Sequence, residues 1–140
     1  MRVNVRVALL DAEPSGLATM LAGLLEANLA GSPDRSRLVR PGVVELEAID
    51  AEVTVTVRTR PGWIEIANGS ANPRADVGIH ASSHDLLELS AVPLRLGFPD
   101  PFGRRGRAML GGVVGGRVRI SGMLRHPIML SRFARLLSVA

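Results

Sequence analysis

His80 and His84, four residues apart and flanked by Asp76 and Asp85, come nearest to a metal-binding pattern in this chain. The spacing serves a metal only if both imidazoles project from one helix. Alternation places His80 in a strand and His84 in the cap that follows it, so no ligand role is assigned. Glu45 and Glu47 face the same way on a strand, an arrangement open to acid/base work, but the same pattern describes the solvated face of an amphipathic strand. Phe98 and Phe102 interleave with Arg104, Arg105 and Arg107 in a stretch both oily and cationic. That cluster either forms a solvated helix face or meets anionic headgroups, and the flanking aromatics favour headgroups. There is no nucleophile elbow, phosphate loop or dinucleotide fingerprint; GGVVGG lacks the required spacing and precedes a strand. Nothing in the sequence argues for catalysis, a metal or a cofactor.

Composition narrows the field further. The chain has no cysteine, which removes disulfides, thiolate metal sites and a cysteine nucleophile and fits a reducing compartment. All 17 basic residues are arginine, so Schiff-base and phosphate-loop lysines are also out, and a GC-rich, bacterial coding origin is suggested. A net charge of +4 favours anionic partners. Nucleic acid is the weaker candidate, because one Trp, three Phe and no Tyr provide few stacking platforms. Arg2, Asn4 and Arg6 interrupt any signal-peptide core, and no run approaches the roughly 18 apolar residues that span a bilayer. A cytoplasmic protein is expected, and Asn68-Gly69-Ser70 then reads as a tight turn.

The elements that must position these residues follow from periodicity. At 140 residues one domain is expected, burying about two thirds of its unfolded surface. Residues 1–13 read as an extra N-terminal strand, with Val3, Val5 and Val7 on one side; it pairs with a sheet edge of its own chain or of a partner. Pro14 to Ala30 is a helix with Leu17, Met20, Leu21, Leu24, Leu25 and Leu29 on one stripe. Its small side, Ala18, Ala22, Gly23 and Ala27, is either plain surface or the contact of a homodimer. Residues 32–41 read as a loop. Three strands follow, carrying Val44, Leu46 and Ala48, then Val53, Val55 and Val57, then Ile64 and Ile66, joined by short turns that predict antiparallel neighbours. A fourth strand holds Val77 and Ile79 inward. Ser82 and Asp85 form a capping-box pattern opening a helix with Leu86, Leu87 and Leu89.

The last third carries the most apolar element. Val118 and Ile120 alternate with Arg117, Arg119 and Ser121 in a strand that Gly122 ends. Pro127 suits the first turn of a helix bearing Met129, Leu130, Phe133, Leu136 and Leu137. More than half of its circumference is apolar, which suits either an ordinary core helix or the lid of an apolar cavity.

The order EVTVTVRTRPGWIEIANG, ADVGIHASSHDLLEL and GGRVRISGMLRHPIMLSRFARLL resembles the sterol carrier protein type two family, small domains that hold sterols or fatty-acyl chains in an apolar tunnel. The resemblance implies an α+β fold, a five-stranded, mainly antiparallel sheet with helices on one face and the tunnel between them. It further implies that Leu86, Leu89, Leu94, Leu96, Phe98, Phe102, Met109, Leu110, Val113, Ile120, Met129, Phe133 and Leu137 line or close the tunnel. Flexible apolar walls of this kind accept more than one lipid. The partner expected is a lipid, namely a fatty acid, an acyl thioester or a sterol, with peripheral contact to an anionic membrane. Met123 stands where the family commonly has an acidic residue, and Ser90-Ala91-Val92-Pro93 replaces an expected glycine. The alternative is an interaction or dimerisation module with a closed core, accessory to an enzyme of lipid metabolism.

Overall fold

The computed structural model describes residues 5–71, 74–86, 119–122 and 124–137, and the backbone of two short paired strands at 94–95 and 98–99. Alternation is borne out in β2 (Gly42–Ala48), β3 (Val53–Arg60) and β4 (Trp63–Asn68), which form an antiparallel meander. Register then joins side chains into rows across the sheet. Val44 stands beside Val57, which stands beside Ile66, and all three are buried. β5 (Val77–Ala81) extends the row with Val77 and sets Ile79 beside Leu46. After the isolated ribbon of β6 (Leu94–Arg95) and β7 (Phe98–Pro99), the short strand β8 (Arg119–Ser121) closes the other edge beside β5.

The sheet differs from the sequence-based expectation in two ways. It has six strands, in the order β1-β4-β3-β2-β5-β8, and it is mixed. The sixth strand is β1 (Arg6–Leu9), which lies parallel to β4 within its own chain, and β5 lies parallel to β2. Both parallel pairs come from connections that cross the sheet. The segment at 69–76 carries the chain from the end of β4 back to the start of β5, so β5 runs in the same direction as β2. That crossing lies on the face away from the helices. Thr56 Oγ1 donates to the Gly69 carbonyl (2.8 Å), and the Ala71 N–H donates to Glu45 Oε1 (3.0 Å). Thr56, on the face expected to be wet, is consequently only 4% exposed.

The helices cover the other face. α1 (Gly16–Gly31) begins at Ser15, whose Oγ accepts the Ala18 N–H. Asn68, at the end of β4, fixes this entry, accepting the Ser15 N–H and donating to the Glu13 carbonyl. The buried stripe of α1 is Ala18, Leu21, Ala22, Leu25 and Asn28, whereas Met20 is 36% exposed. Of the small residues, Ala18 and Ala22 face inward, where they let the helix backbone approach the sheet closely, and Gly23 and Ala27 are exposed. The expected loop after α1 contains a 3-10 turn (Pro33–Leu38), with Pro33 at its start. The terminal helix α2 (Pro127–Leu137) begins at Pro127, as the sequence indicates, and buries Phe133, Leu136 and Leu137.

One polar contact joins the two helices. The Asn28 side-chain amide donates to the Leu136 carbonyl at 2.9 Å in a buried setting. A carbonyl in the last turn of a helix has no partner within the helix, so this amide meets an otherwise orphaned acceptor. Asn28→Leu keeps the branched shape but leaves that acceptor unpaired in the core. It is expected to lower unfolding free energy by about 1–3 kcal/mol in urea denaturation; a midpoint unchanged from wild type would show that the contact contributes nothing.

Candidate functional site

Five of the residues expected to line the tunnel are described with their side chains, and all five belong to one apolar cluster. Leu86, Phe133 and Leu137 are 8%, 3% and 6% exposed, and Ile120 and Met129 are part-buried against the same core. The same cluster includes Val44, Leu46, Val77 and Ile79 of the inner face. Met129 sits directly over the backbone of β2. A Cβ added to Gly42 would collide with the Met129 methyl group and sulfur, so glycine makes room for this thioether. Leu89, Leu96, Phe102, Met109, Leu110 and Val113 lie outside the described residues, as do Arg104, Arg105 and Arg107. Leu94 and Phe98 are placed by backbone pairing alone.

The start of the segment holding Leu86 is fixed twice. Residues 83–86 are helical, and Ser82 caps them by accepting the Asp85 N–H while donating to the Asp85 carboxylate, both at 3.1 Å. This is a variant of the expected capping box, in which the acidic side chain returns to the cap hydroxyl. Asp50, in the β2–β3 turn, accepts the Ser83 N–H at 2.8 Å and the Ser83 hydroxyl at 3.0 Å. The Ser83 backbone N–H is the main reason that the Asp50 carboxyl titrates below the ordinary carboxylate range, with the Ser83 hydroxyl adding to it against a smaller opposing effect of desolvation. Asp50 has no sequence signal beyond its place in a turn.

A second region, which the sequence did not indicate, lies on the opposite face. A cleft of about 770 Å³ opens where the 69–76 crossing meets the corner between β8 and α2. Its floor is Glu45, Gly78 and Ser121, side by side on β2, β5 and β8. Arg74, Arg125 and His126 stand at its walls with Leu124 and Ile120. Gly122 makes the corner: its φ is +78°, and an added Cβ would strike the Asp76 carbonyl oxygen. Asp76 Oδ2 in turn accepts the Val43 N–H at 2.9 Å, tying the crossing to β2.

The polar residues singled out for chemistry are placed separately. His80 Nδ1 lies 3.0 Å from Glu47 Oε1 on the open face, while Glu45 is bonded to the Ala71 N–H. Glu45 and Glu47 therefore share a face without acting on a common point. Among the described residues no group of three or more His, Asp or Glu gathers as a metal site. Trp63 is held on the open face between the Arg6 and Arg60 guanidinium groups, whose carbons lie 5.2 and 5.3 Å from the ring centroid. Its ring packs on the face opposite the helix-covered core, against residues of β1 and β3. No described helix is long and apolar enough to cross a membrane.

No family model matches the chain, and no curated protein matches it. Among solved structures, a UbiJ-SCP2 ubiquinone synthesis protein superposes with a TM-score of 0.60 at 14% identity, covering 86% of this chain and 92% of its own. The chain has a sterol carrier protein type two-like fold. At 14% identity the likeness speaks for the fold alone. A conserved hypothetical protein from Thermus thermophilus, suggested to be a sterol carrier protein, shares 15% identity over 93% of each chain. Its TM-score of 0.45 is too low to define a fold. Within this fold the Asp50–Ser83 tether fixes the first turn of the segment bearing Leu86.

The lowered Asp50 pKa gives that tether a pH dependence of definite sign. Its contribution is fully present above the ordinary carboxylate range and is lost as pH falls through the lowered value. In NMR titration the Ser83 amide resonance is expected to follow Asp50 with a midpoint below about 3.9; a midpoint at or above that value would contradict the bond.

Proposed function

We propose that this chain is a non-catalytic, cytoplasmic lipid carrier that holds a sterol, fatty acid or fatty-acyl thioester between its sheet and its C-terminal helix. The observation that carries this reading is the single apolar cluster formed by Leu86, Ile120, Met129, Phe133 and Leu137 over the inner face of a sterol-carrier-like sheet. These side chains come from elements far apart in sequence and meet on one side of β2 and β5. Leu94, Phe98 and the further apolar residues of the 87–118 segment extend the proposed lining. The chemistry asked of such a site is burial alone. Each methylene removed from water contributes about 0.8 kcal/mol, so a chain of a dozen carbons overcomes a substantial cost of immobilisation.

A second reading is supported by the seat of Met129 against Gly42, where the thioether packs on protein backbone. On that reading the core is closed and the same fold serves as an interaction module. The structural neighbour is named a ubiquinone synthesis protein, and ubiquinone therefore belongs among the ligands tried.

Native mass spectrometry of delipidated protein with palmitate, palmitoyl-coenzyme A, cholesterol and ubiquinone separates the two readings. The carrier reading predicts a one-to-one adduct with at least one of them, displaced by an excess of another. Absence of an adduct with all four would leave the closed-core module.

A further inference from the structure

The corner between β8 and α2 carries the most exposed large apolar side chain among the described residues. Leu124 is 94% exposed and Ile128, in the first turn of α2, is 65% exposed. Four residues apart, they form an apolar tip that no described element covers. Basic residues surround it. Arg125 lies next to Leu124 and is exposed, Arg74 is exposed across the cleft, and Arg132 and Arg135 continue the Ile128 face of α2 at i+4 and i+7. The two carboxylates of the cleft, Glu45 and Asp76, are part-buried, and each has an oxygen bonded to a backbone N–H.

The sequence around this corner has one sign of charge. All 13 acidic residues precede position 101, where nine arginines leave the first hundred residues at −4. The last forty residues hold eight arginines and no acid, +8, which yields the overall +4. A protein partner would have to desolvate that charge against matched carboxylates, and a second copy would bring like charge to the same place. An anionic bilayer supplies both halves of the complement at once, phosphate and serine carboxylate for the guanidinium groups and acyl chains for the two aliphatic side chains.

We propose that the β8–α2 corner is a membrane-docking tip, with Leu124 and Ile128 inserted below the headgroups of an anionic bilayer and Arg125, Arg132 and Arg74 held at the level of the phosphates. The surface is distinct from the lipid-holding core, since Leu124 and Ile128 point away from the cluster containing Phe133 and Leu137. It supplies what a carrier needs in addition to a cavity, a place to meet the membrane. The inference stands on exposure and charge, so it survives a failure of the carrier reading.

Co-sedimentation with phosphatidylserine–phosphatidylcholine vesicles tests it. Wild-type protein is expected to sediment with these and much less with phosphatidylcholine alone. The double variant Leu124→Ser, Ile128→Ser should lose about tenfold in partitioning, and Arg125→Gln about fivefold. Both changes lie on the exposed surface, so unchanged circular dichroism melting serves as the folding control. Equal sedimentation of wild type and the double variant would overturn the proposal, as would failure of wild type to bind anionic vesicles. Light scattering that showed a dimer dissolved by the double variant would assign the tip to a second copy instead. Lipid adducts in native mass spectrometry are expected to be the same for wild type and the double variant, so loss of docking and loss of cargo are read separately.

Discussion

The fold depends on covering one face of a six-stranded sheet, which among the described residues falls to the two long helices α1 and α2. The inner face is a continuous apolar layer running through Ile66, Val57, Val44 and Val77, and exposing it would forfeit most of the hydrophobic driving force for folding. α1 must therefore lie close to the sheet, which Ala18 and Ala22 permit, and α2 must lie close to α1. The Asn28 amide on the Leu136 carbonyl fixes that second contact where hydrophobic packing alone has no direction. Once α2 is fixed there, Phe133 and Leu137 have to face the sheet and Ile128 has to face away from it.

This division of α2 links the two ends of the functional account. Its C-terminal turns contribute to the apolar cluster, and its N-terminal turn, with the preceding Leu124, forms the exposed tip. Gly122 sets the angle between them because only a residue without a Cβ fits against the Asp76 carbonyl with φ at +78°. Val43 holds Asp76 there, donating its N–H to the Asp76 carboxylate and accepting the Asp76 N–H at its carbonyl. A polar arrangement on the open face of the sheet thus decides how an apolar helix is presented on the other.

The sequence revealed side-chain faces far better than it revealed neighbours. Val44, Leu46, Val55, Val57, Ile64 and Ile66 were legible because period-two alternation records which side of a strand is dry, and short turns forced β2, β3 and β4 into a meander. Alternation does not record which strand lies next, so the parallel pairings of β1 with β4 and of β5 with β2 had no signal. In α1 the leucine stripe was legible except for Met20, which is exposed, while close approach to the sheet adds Ala18, Ala22 and Asn28 to the buried face. The terminal helix was legible from Pro127 to Leu137, yet Ile128 and Leu124 gave no sign of exposure, because hydrophobicity alone does not distinguish a residue that faces the core from one left on the surface. The cleft depended on where Gly69, Ala71 and Asp76 are held, which follows from hydrogen bonds to Thr56, Glu45 and Val43 that no local pattern announces.

The claim on which the account turns is that a hydrocarbon guest lies between the inner sheet face and α2. Isotope-filtered NOE spectroscopy on protein loaded with carbon-13-labelled palmitate addresses it directly. The account predicts cross-peaks from the acyl methylenes to Met129, Phe133 and Leu137. Cross-peaks confined to cleft residues such as Ala71, Ala75 and Leu124, or absent altogether, would contradict it.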